Sequence, residues 1–319
     1  MSDVAIAVPT TTEAKDPSFL RTLLHDLVRS GTGLIGAVAL LILIGAAVLA
    51  PWLAPHDPAS QDLAARLQPP LLWGGTSEHI LGTDQLGRDL FSRLLYGARL
   101  SMLVALAVVA IAGTVGTVLG LIAGYRGRAT DAVIMRLADM QLAFPGILLA
   151  LVILYAIGPS ATLLIIVLSI NGWMVYARIT RSLVLGLRKS EYIEAAEISG
   201  AGPGRIMVRH ILPNLVSPLL TLSVLEFARI ILAEASLSFL GYGVQPPDAS
   251  WGLIIGQGQD YLNSAWWLVT VPGVVICITV LSANLLASWL RIQTDPKQRE
   301  KQLSRQLDAL VPNTTKERT

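Results

Sequence analysis

The sequence predicts an all-α, polytopic membrane protein with six transmembrane helices, and three observations carry that prediction. Of 319 residues, 53% are hydrophobic and only 14% are charged, where an average soluble domain carries about a quarter charged. The apolar residues gather into runs of about 20, the length a helix needs to cross the hydrocarbon core. Lysine and arginine crowd some of the connections between these runs and avoid others, the asymmetry that orients a multi-pass chain.

Residues 1–33 read as a polar N-terminal segment with Lys15, Arg21 and Arg29. Residues 34–53 are an almost uninterrupted apolar run and read as the first transmembrane helix. Its end, Ala47-Val48-Leu49-Ala50, resembles a signal cleavage site, but the run is long and Pro51 follows the small residue directly, which argues for a retained helix. Residues 54–97 are turn-rich (Asp57-Pro58, Pro69-Pro70, Gly74-Gly75) and read as an exposed extracytoplasmic connector. It leads into an amphipathic helical start with Arg88, Asp89 and Arg93.

Residues 98–290 form the transmembrane core. The second span is 100–123. The third, 131–157, is interrupted at Phe144-Pro145-Gly146, where the helix should kink or restart. Its first half carries Arg136, Asp139 and Gln141; facing lipid they would be costly, so that half should meet water or protein. The fourth span opens at 161–175 and runs into Arg178 and Arg181, the fifth is 215–240 and the sixth 266–290. Residues 291–319 are a charged tail. Trp251, Tyr261, Trp266 and Trp267 suit an interfacial aromatic belt, Cys277 lies in an apolar run as a packing residue, and Asn171 and Asn284 suit interhelical hydrogen bonds.

Between the fourth and fifth spans lies a polar stretch, 189–214. Ser190 suits an N-cap, and Glu191 and Glu194 put negative charge in a first helical turn. Gly200 can end that helix in the left-handed conformation. Pro203 suits the start of a second short helix, which Pro213 should close off. Helices this short are marginal alone in water, so something must pack on them; Ala195-Ala196 offers a low surface for close approach.

Glu194-Ala195-Ala196, Gly200, Ile211 and Pro213 at these spacings resemble the EAA loop of the inner-membrane permease subunits of bacterial ABC importers. The resemblance implies an ABC importer type-1 transmembrane domain in which these six residues form the coupling site for an ATP-hydrolysing subunit. Leu81-Gly82-Thr83-Asp84-Gln85-Leu86-Gly87-Arg88-Asp89-Leu90-Phe91-Ser92-Arg93 is similar to a stretch of one permease in the dipeptide, oligopeptide and nickel importers. So is the run from Glu234 to Gly243 with Pro246-Pro247 and Ser250-Trp251-Gly252, and so is Thr294-Asp295-Pro296-Lys297. The partners implied are a second homologous permease subunit, two ABC ATPase subunits, an extracytoplasmic solute-binding protein and the lipid bilayer, with no nucleic acid. The expected solute is a di- or oligopeptide, with nickel or another small solute of the same class as the alternative.

The residues themselves exclude several chemistries. A phosphate-cradling P-loop needs Gly-Lys followed by Ser or Thr, and none of the five lysines (15, 189, 297, 301, 316) follows a glycine. The chain is therefore expected to be no enzyme and to hold no cofactor, with ATP and magnesium on the partner subunits. The histidines, at 25, 56, 79 and 210, show no metal-ligand spacing, so no metal site is expected. Glu226 and Arg229 lie three apart on the fifth span and can pair on one helix face. The basic residues at 178, 181, 188, 189, 205 and 209 and in the tail place the 189–214 loop and both termini in the cytoplasm of a bacterial inner membrane, whereas 241–265 carries Asp248 and Asp260 and no lysine or arginine. A stand-alone ion-coupled carrier is the competing class; it calls for internal repeats and midplane carboxylates on broken helices, of which only Pro145 and Glu226 give a hint.

Overall fold

The computed structural model describes residues 26–294. The sequence readings for residues 1–25 and for the tail from Asp295 onward lie outside them. Among the described residues the chain is helical, with a single isolated β-bridge between Thr83 and Asp89. The helices are α1 (Gly31–Val48), α2 (Ala50–Leu53), α3 (Leu90–Arg126), α4 (Arg128–Leu142), α5 (Gly146–Ile157), α6 (Ala161–Leu187), α7 (Glu191–Ile198), α8 (Pro203–Arg205), α9 (Leu212–Phe239), α10 (Trp251–Gly258) and α11 (Trp267–Thr294).

Five stretches are long and apolar enough to cross a membrane, namely α1, α3, α6, the run from α8 through α9, and α11. The pair α4 and α5, which meet at 80°, makes a sixth candidate if the two are taken as one broken span. Pro145 explains the break: it cannot donate a backbone hydrogen bond, and it serves as the residue before α5 with φ −59° and ψ 118°. The expected kink is thus a corner. At 1.5 Å per residue, α5 spans about 18 Å, too short to cross the core unaided.

α3 is longer than the expected second span. It starts ten residues earlier, where Asp89 caps it by accepting from the Ser92 N–H at 2.8 Å. Its 37 residues extend about 55 Å, so one end stands clear of the hydrocarbon. Its most extensive partner is α6. The seam is glycine-lined: Gly116, Gly120 and Gly124 abut Tyr176, Thr180 and Val184, and a Cβ on any of the three would come within 2.8 Å of those side chains. α1 packs along α11 in the same way, with Gly36 against the Ser282 carbonyl.

The main core joins α1, α3, α5, α6, α9, α10 and α11 through Leu40, Val104, Leu154, Leu164, Ile231, Trp251 and Ile276. Two expectations fail here. Trp251 and Trp267 are core residues, not belt residues: their indole N–H groups donate to the Leu94 and Thr83 carbonyls at 3.1 and 3.3 Å. Cys277 is exposed on the outer face of α11 instead of packed inside.

The connector is also less exposed than its composition suggests. Asp84 accepts from Arg88 Nε at 2.7 Å and from Arg93, and both arginines reach the Gln257 side-chain oxygen at 3.0 and 2.9 Å. All three charged groups are buried. The polar sequence there is an internal knot that ties the start of α3 to α10.

Candidate functional site

At the end of the bundle away from the connector, α7 lies across the tips of α3, α6 and α9. Ser190 occupies the N-cap position, but its hydroxyl donates to the Leu187 carbonyl and makes no cap bond to α7. Glu191 and Glu194 still supply charge in the first turn. The far end is a complete Schellman motif. Gly200 has φ +81°, its N–H donates to the Glu197 carbonyl, and the Ala201 N–H donates to the Ala196 carbonyl, both at 3.0 Å. No Cβ-bearing residue adopts that φ without strain.

α7 is anchored through one side. Ile193 is fully buried in a second apolar cluster with Leu121 and Tyr125 of α3, Val184 of α6, Ile206, Ile211 and Leu215. Polar contacts hold its rim. The Tyr125 hydroxyl donates to Glu197 at 3.2 Å, and Arg188 donates to the Tyr125 carbonyl at 2.9 Å with its guanidinium over the Tyr125 ring.

The six residues singled out by sequence therefore divide. Glu194, Ala195, Gly200 and Pro213 are exposed, Ala196 is half-buried, and Ile211 is buried beneath α7. Sequence reasoning missed the outward apolar residues. Tyr192 and Ile198 are exposed, Ile198 by 88%, and with Ala195 they recur every three residues along one face of α7. The spacing of three was the available signal, and over only eight residues it is too short to stand out as a helical period.

The second short helix is not closed by Pro213. α8 continues through a π-turn, Ile206–Ile211, straight into α9, with the Leu212 N–H bonded to the Met207 carbonyl five residues back. Pro213 sits in the first turn of α9. A proline there clashes with the carbonyl four residues earlier in a regular ladder, and the wider π-turn relieves that. The stretch from Pro203 onward is thereby helically continuous with the fifth span.

Further along α9, Arg229 Nε donates to Glu226 at 2.8 Å. The Glu226 side chain is 8% exposed and that of Arg229 is 53% exposed. A half-exposed guanidinium that deep in an apolar helix cannot face lipid cheaply, so this face of α9 is turned to water or to protein. The α4–α6 contact is polar as well. Arg178 pairs with Asp139 and Arg181 with Asp131, while Gln141 bonds the Trp173 indole N–H at 2.8 Å and Asn171 bonds the Gly146 carbonyl at 3.1 Å. Asn284 is exposed on α11. His210 is half-buried, and its carbonyl accepts from Asn214.

The chain matches the family described as the binding-protein-dependent transport system inner membrane component over residues 116–300, more than half its length. It belongs to that family. Residues 18–70 match the N-terminal transmembrane domain of oligopeptide transport permease C. The di/tripeptide transport system permease protein DppC of Pseudomonas aeruginosa is 41% identical over 282 residues, covering 88% of this chain and 93% of the relative. The dipeptide transport system permease protein DppC of Escherichia coli K12 is 42% identical over 275 residues, covering 86% and 91%. That of Haemophilus influenzae is 40% identical over 268 residues, covering 83% and 90%. The chain is thus a polytopic permease subunit of an ABC importer, with the type-1 transmembrane domain, and not itself an enzyme. Importers of this family work with ATPase and solute-binding partners.

Proposed function

We propose that this permease forms half of the translocation pathway of an importer for di- or oligopeptides and is coupled to its ATPases through α7. One observation carries the coupling assignment: α7 buries a single side chain, Ile193, among the tips of α3, α6 and α9, and leaves Tyr192, Glu194, Ala195 and Ile198 outward. A displacement of α7 is therefore delivered to three spans at once. The names of the relatives support the peptide assignment over the nickel alternative.

In this reading the 189–214 loop and both termini are cytoplasmic, and 54–97 and 241–265 are extracytoplasmic. A second, homologous permease completes the pathway, two ATPase subunits bind ATP and magnesium, and a solute-binding protein delivers the peptide. Closure of the ATPases on ATP moves the two coupling helices, and the apolar cluster around Ile193 and Ile211 transmits that movement into α3, α6 and α9. The spans rock to open the shared pathway outward and return after hydrolysis. Glu194, Ala195, Ala196, Gly200 and Pro213 shape the docking surface, with Ile211 as the link beneath it. Glu226 and Arg229 lie on the face turned toward the pathway or the second permease.

The test uses Gly200→Val, Ala196→Trp and Glu194→Lys in the assembled transporter reconstituted in proteoliposomes. Each should leave insertion and pairing of the permeases intact while peptide uptake falls at least tenfold and ATP hydrolysis loses its response to loaded binding protein. Normal uptake in all three variants, with the ATPases still attached, would refute the coupling role of this segment.

A further inference from the structure

Far from the coupling surface, the connector brings together two histidines that lie 23 residues apart in sequence. His56 follows α2, His79 precedes the turn into α3, and Asp89 is the N-cap of α3. One ligand-capable atom from each lies within 4.8 Å of the other two. His79 Nδ1 is 3.0 Å from Asp89 Oδ1, and His56 Nδ1 is 3.9 Å from Asp89 Oδ2. The imidazole rings are 4.9 Å apart, centroid to centroid.

We propose that His56, His79 and Asp89 form a binding site for one divalent transition-metal ion of the zinc class. Simple pairing of His79 with Asp89 does not account for the cluster. Asp89 Oδ2 already caps α3, accepting from the Ser92 N–H at 2.8 Å. His56 Nδ1 is then buried with no hydrogen-bond partner, and such an atom calls for an explanation, an ion among them. A single cation takes the lone pairs of both imidazoles and of Asp89 Oδ1 at once.

The donor set selects the metal. Two neutral imidazole nitrogens and one carboxylate oxygen suit Zn²⁺, which takes nitrogen and oxygen at about 2.0–2.2 Å and completes a tetrahedron with water. Calcium and magnesium prefer all-oxygen shells. Tetrahedral bonds of that length place ligand atoms about 3.3 Å apart, so the His79–Asp89 edge at 3.0 Å already fits, and with all three ligand atoms within 4.8 Å of one another His56 must close by at most about 1.5 Å. Its side chain is 32% exposed, so the ring is not fully enclosed and can shift.

The frame around the three ligands is fixed by backbone bonds. The His56 N–H donates to Ser92 Oγ at 3.2 Å, the Gly82 N–H donates to the His79 carbonyl at 2.9 Å, and the Leu90 N–H donates to the Gly82 carbonyl at 3.0 Å. Asp89 is oriented by the helix it caps, the kind of outer support that holds metal ligands in place. The bound ion would staple the chain leaving α2 to the first turn of α3. Spacing could not reveal the site, because its ligands come from three separate segments of an irregular connector.

The test uses the full chain carrying Cys277→Ala and a tag free of histidine, purified in detergent and stripped with a chelator. Zn²⁺ is titrated against a chromophoric indicator, and thermal stability is followed in parallel. The parent should take up one saturable equivalent that excess Ca²⁺ and Mg²⁺ do not displace, and its melting temperature should rise with Zn²⁺. His56→Gln and His79→Gln should each weaken that equivalent at least about tenfold and abolish the rise. If His79→Gln does not survive extraction, His56→Gln, which alters only a partly exposed ring, decides alone. A parent that binds no saturable equivalent, or a His56→Gln chain that binds Zn²⁺ as the parent does, overturns the proposal.

Discussion

The glycine seam between α3 and α6 offers a test in which two well-known effects have opposite signs. Replacing a mid-helix glycine by alanine is ordinarily worth about 0.5–1 kcal/mol of added stability, because the chain loses less backbone entropy on folding. At Gly120 the new Cβ would lie 2.8 Å from the Thr180 Cβ and closer still to the Ala177 carbonyl oxygen. At Gly116 it would lie 2.6 Å from the Tyr176 Cβ, with the Trp173 carbonyl nearer. Two of these obstacles are backbone oxygens, so no rotamer change relieves them and the helices must separate. Overpacking of this kind costs about 1–3 kcal/mol, which exceeds the propensity gain. Gly45, on α1, has no atom within 4 Å of a built Cβ, so Gly45→Ala isolates the propensity effect. The measurement is the melting temperature of each single variant in the same detergent. Gly45→Ala should match or slightly exceed the parent, Gly116→Ala and Gly120→Ala should fall below it, and Gly120→Leu should fail to extract as a monodisperse chain. If Gly120→Ala is as stable as Gly45→Ala, close approach of α3 and α6 is not what the glycines provide.

Three further outcomes are expected. In a Cys277→Ala background, single cysteines at Asp248 or Asp260 should react with an impermeant thiol reagent in spheroplasts and one at Ser199 should not; the reverse pattern overturns the orientation. Arg229→Gln should harm assembly more than Glu226→Gln, because it strands a carboxylate that is 8% exposed whereas the arginine is 53% exposed; the loss should stay below the roughly 3–5 kcal/mol of a fully buried pair because the arginine is half-exposed, and the double Gln variant should recover part of it. Trp251→Phe keeps most of the ring but removes the bond from its indole N–H to the Leu94 carbonyl, so it should lower the melting temperature modestly, by the roughly 1–2 kcal/mol of one buried hydrogen bond; no change would place that bond outside the energetics of the α3–α10 contact.

The spans were legible because apolar length is a one-dimensional property and a bilayer reads it directly. The same holds for Gly200, whose left-handed φ follows from the residue type that ends a short helix, and for Pro145, whose missing donor must interrupt a ladder. What stayed hidden depended on backbone geometry or on partners that residue type does not reveal. Pro213 reads as a helix stop until the π-turn before it is seen. Trp251 and Trp267 read as belt residues, since composition cannot tell an indole that meets lipid headgroups from one that meets the Leu94 or Thr83 carbonyl. Ile211 belongs to the resembling motif yet lies under α7, in contact with the cluster that carries Ile193. A pattern of residue types records that a position is constrained, and it does not say from which side.

The two ends of the permease illustrate that difference. Both motifs are rich in charge, and charge alone predicts exposure for both. At the α7 end Glu194 is exposed beside Ala195, and the charged rim surrounds a surface open to a partner. At the connector end Asp84 is enclosed by two arginines and two backbone N–H groups, and the arginines share the Gln257 oxygen. A buried group with that many bonds adds rigidity to the place it occupies, because losing any one partner leaves a desolvated charge. The two ends of α3 are therefore held in different ways. Its start is locked to α10 by a closed polar knot, and its finish is held to α7 by an apolar cluster around Ile193. A rocking span needs one fixed point and one point at which force is applied. In the proposed mechanism Asp84, Arg88 and Arg93 supply the fixed point of α3, and force is applied at its contact with α7, where Leu121 packs near Ile193 and Tyr125 bonds Glu197.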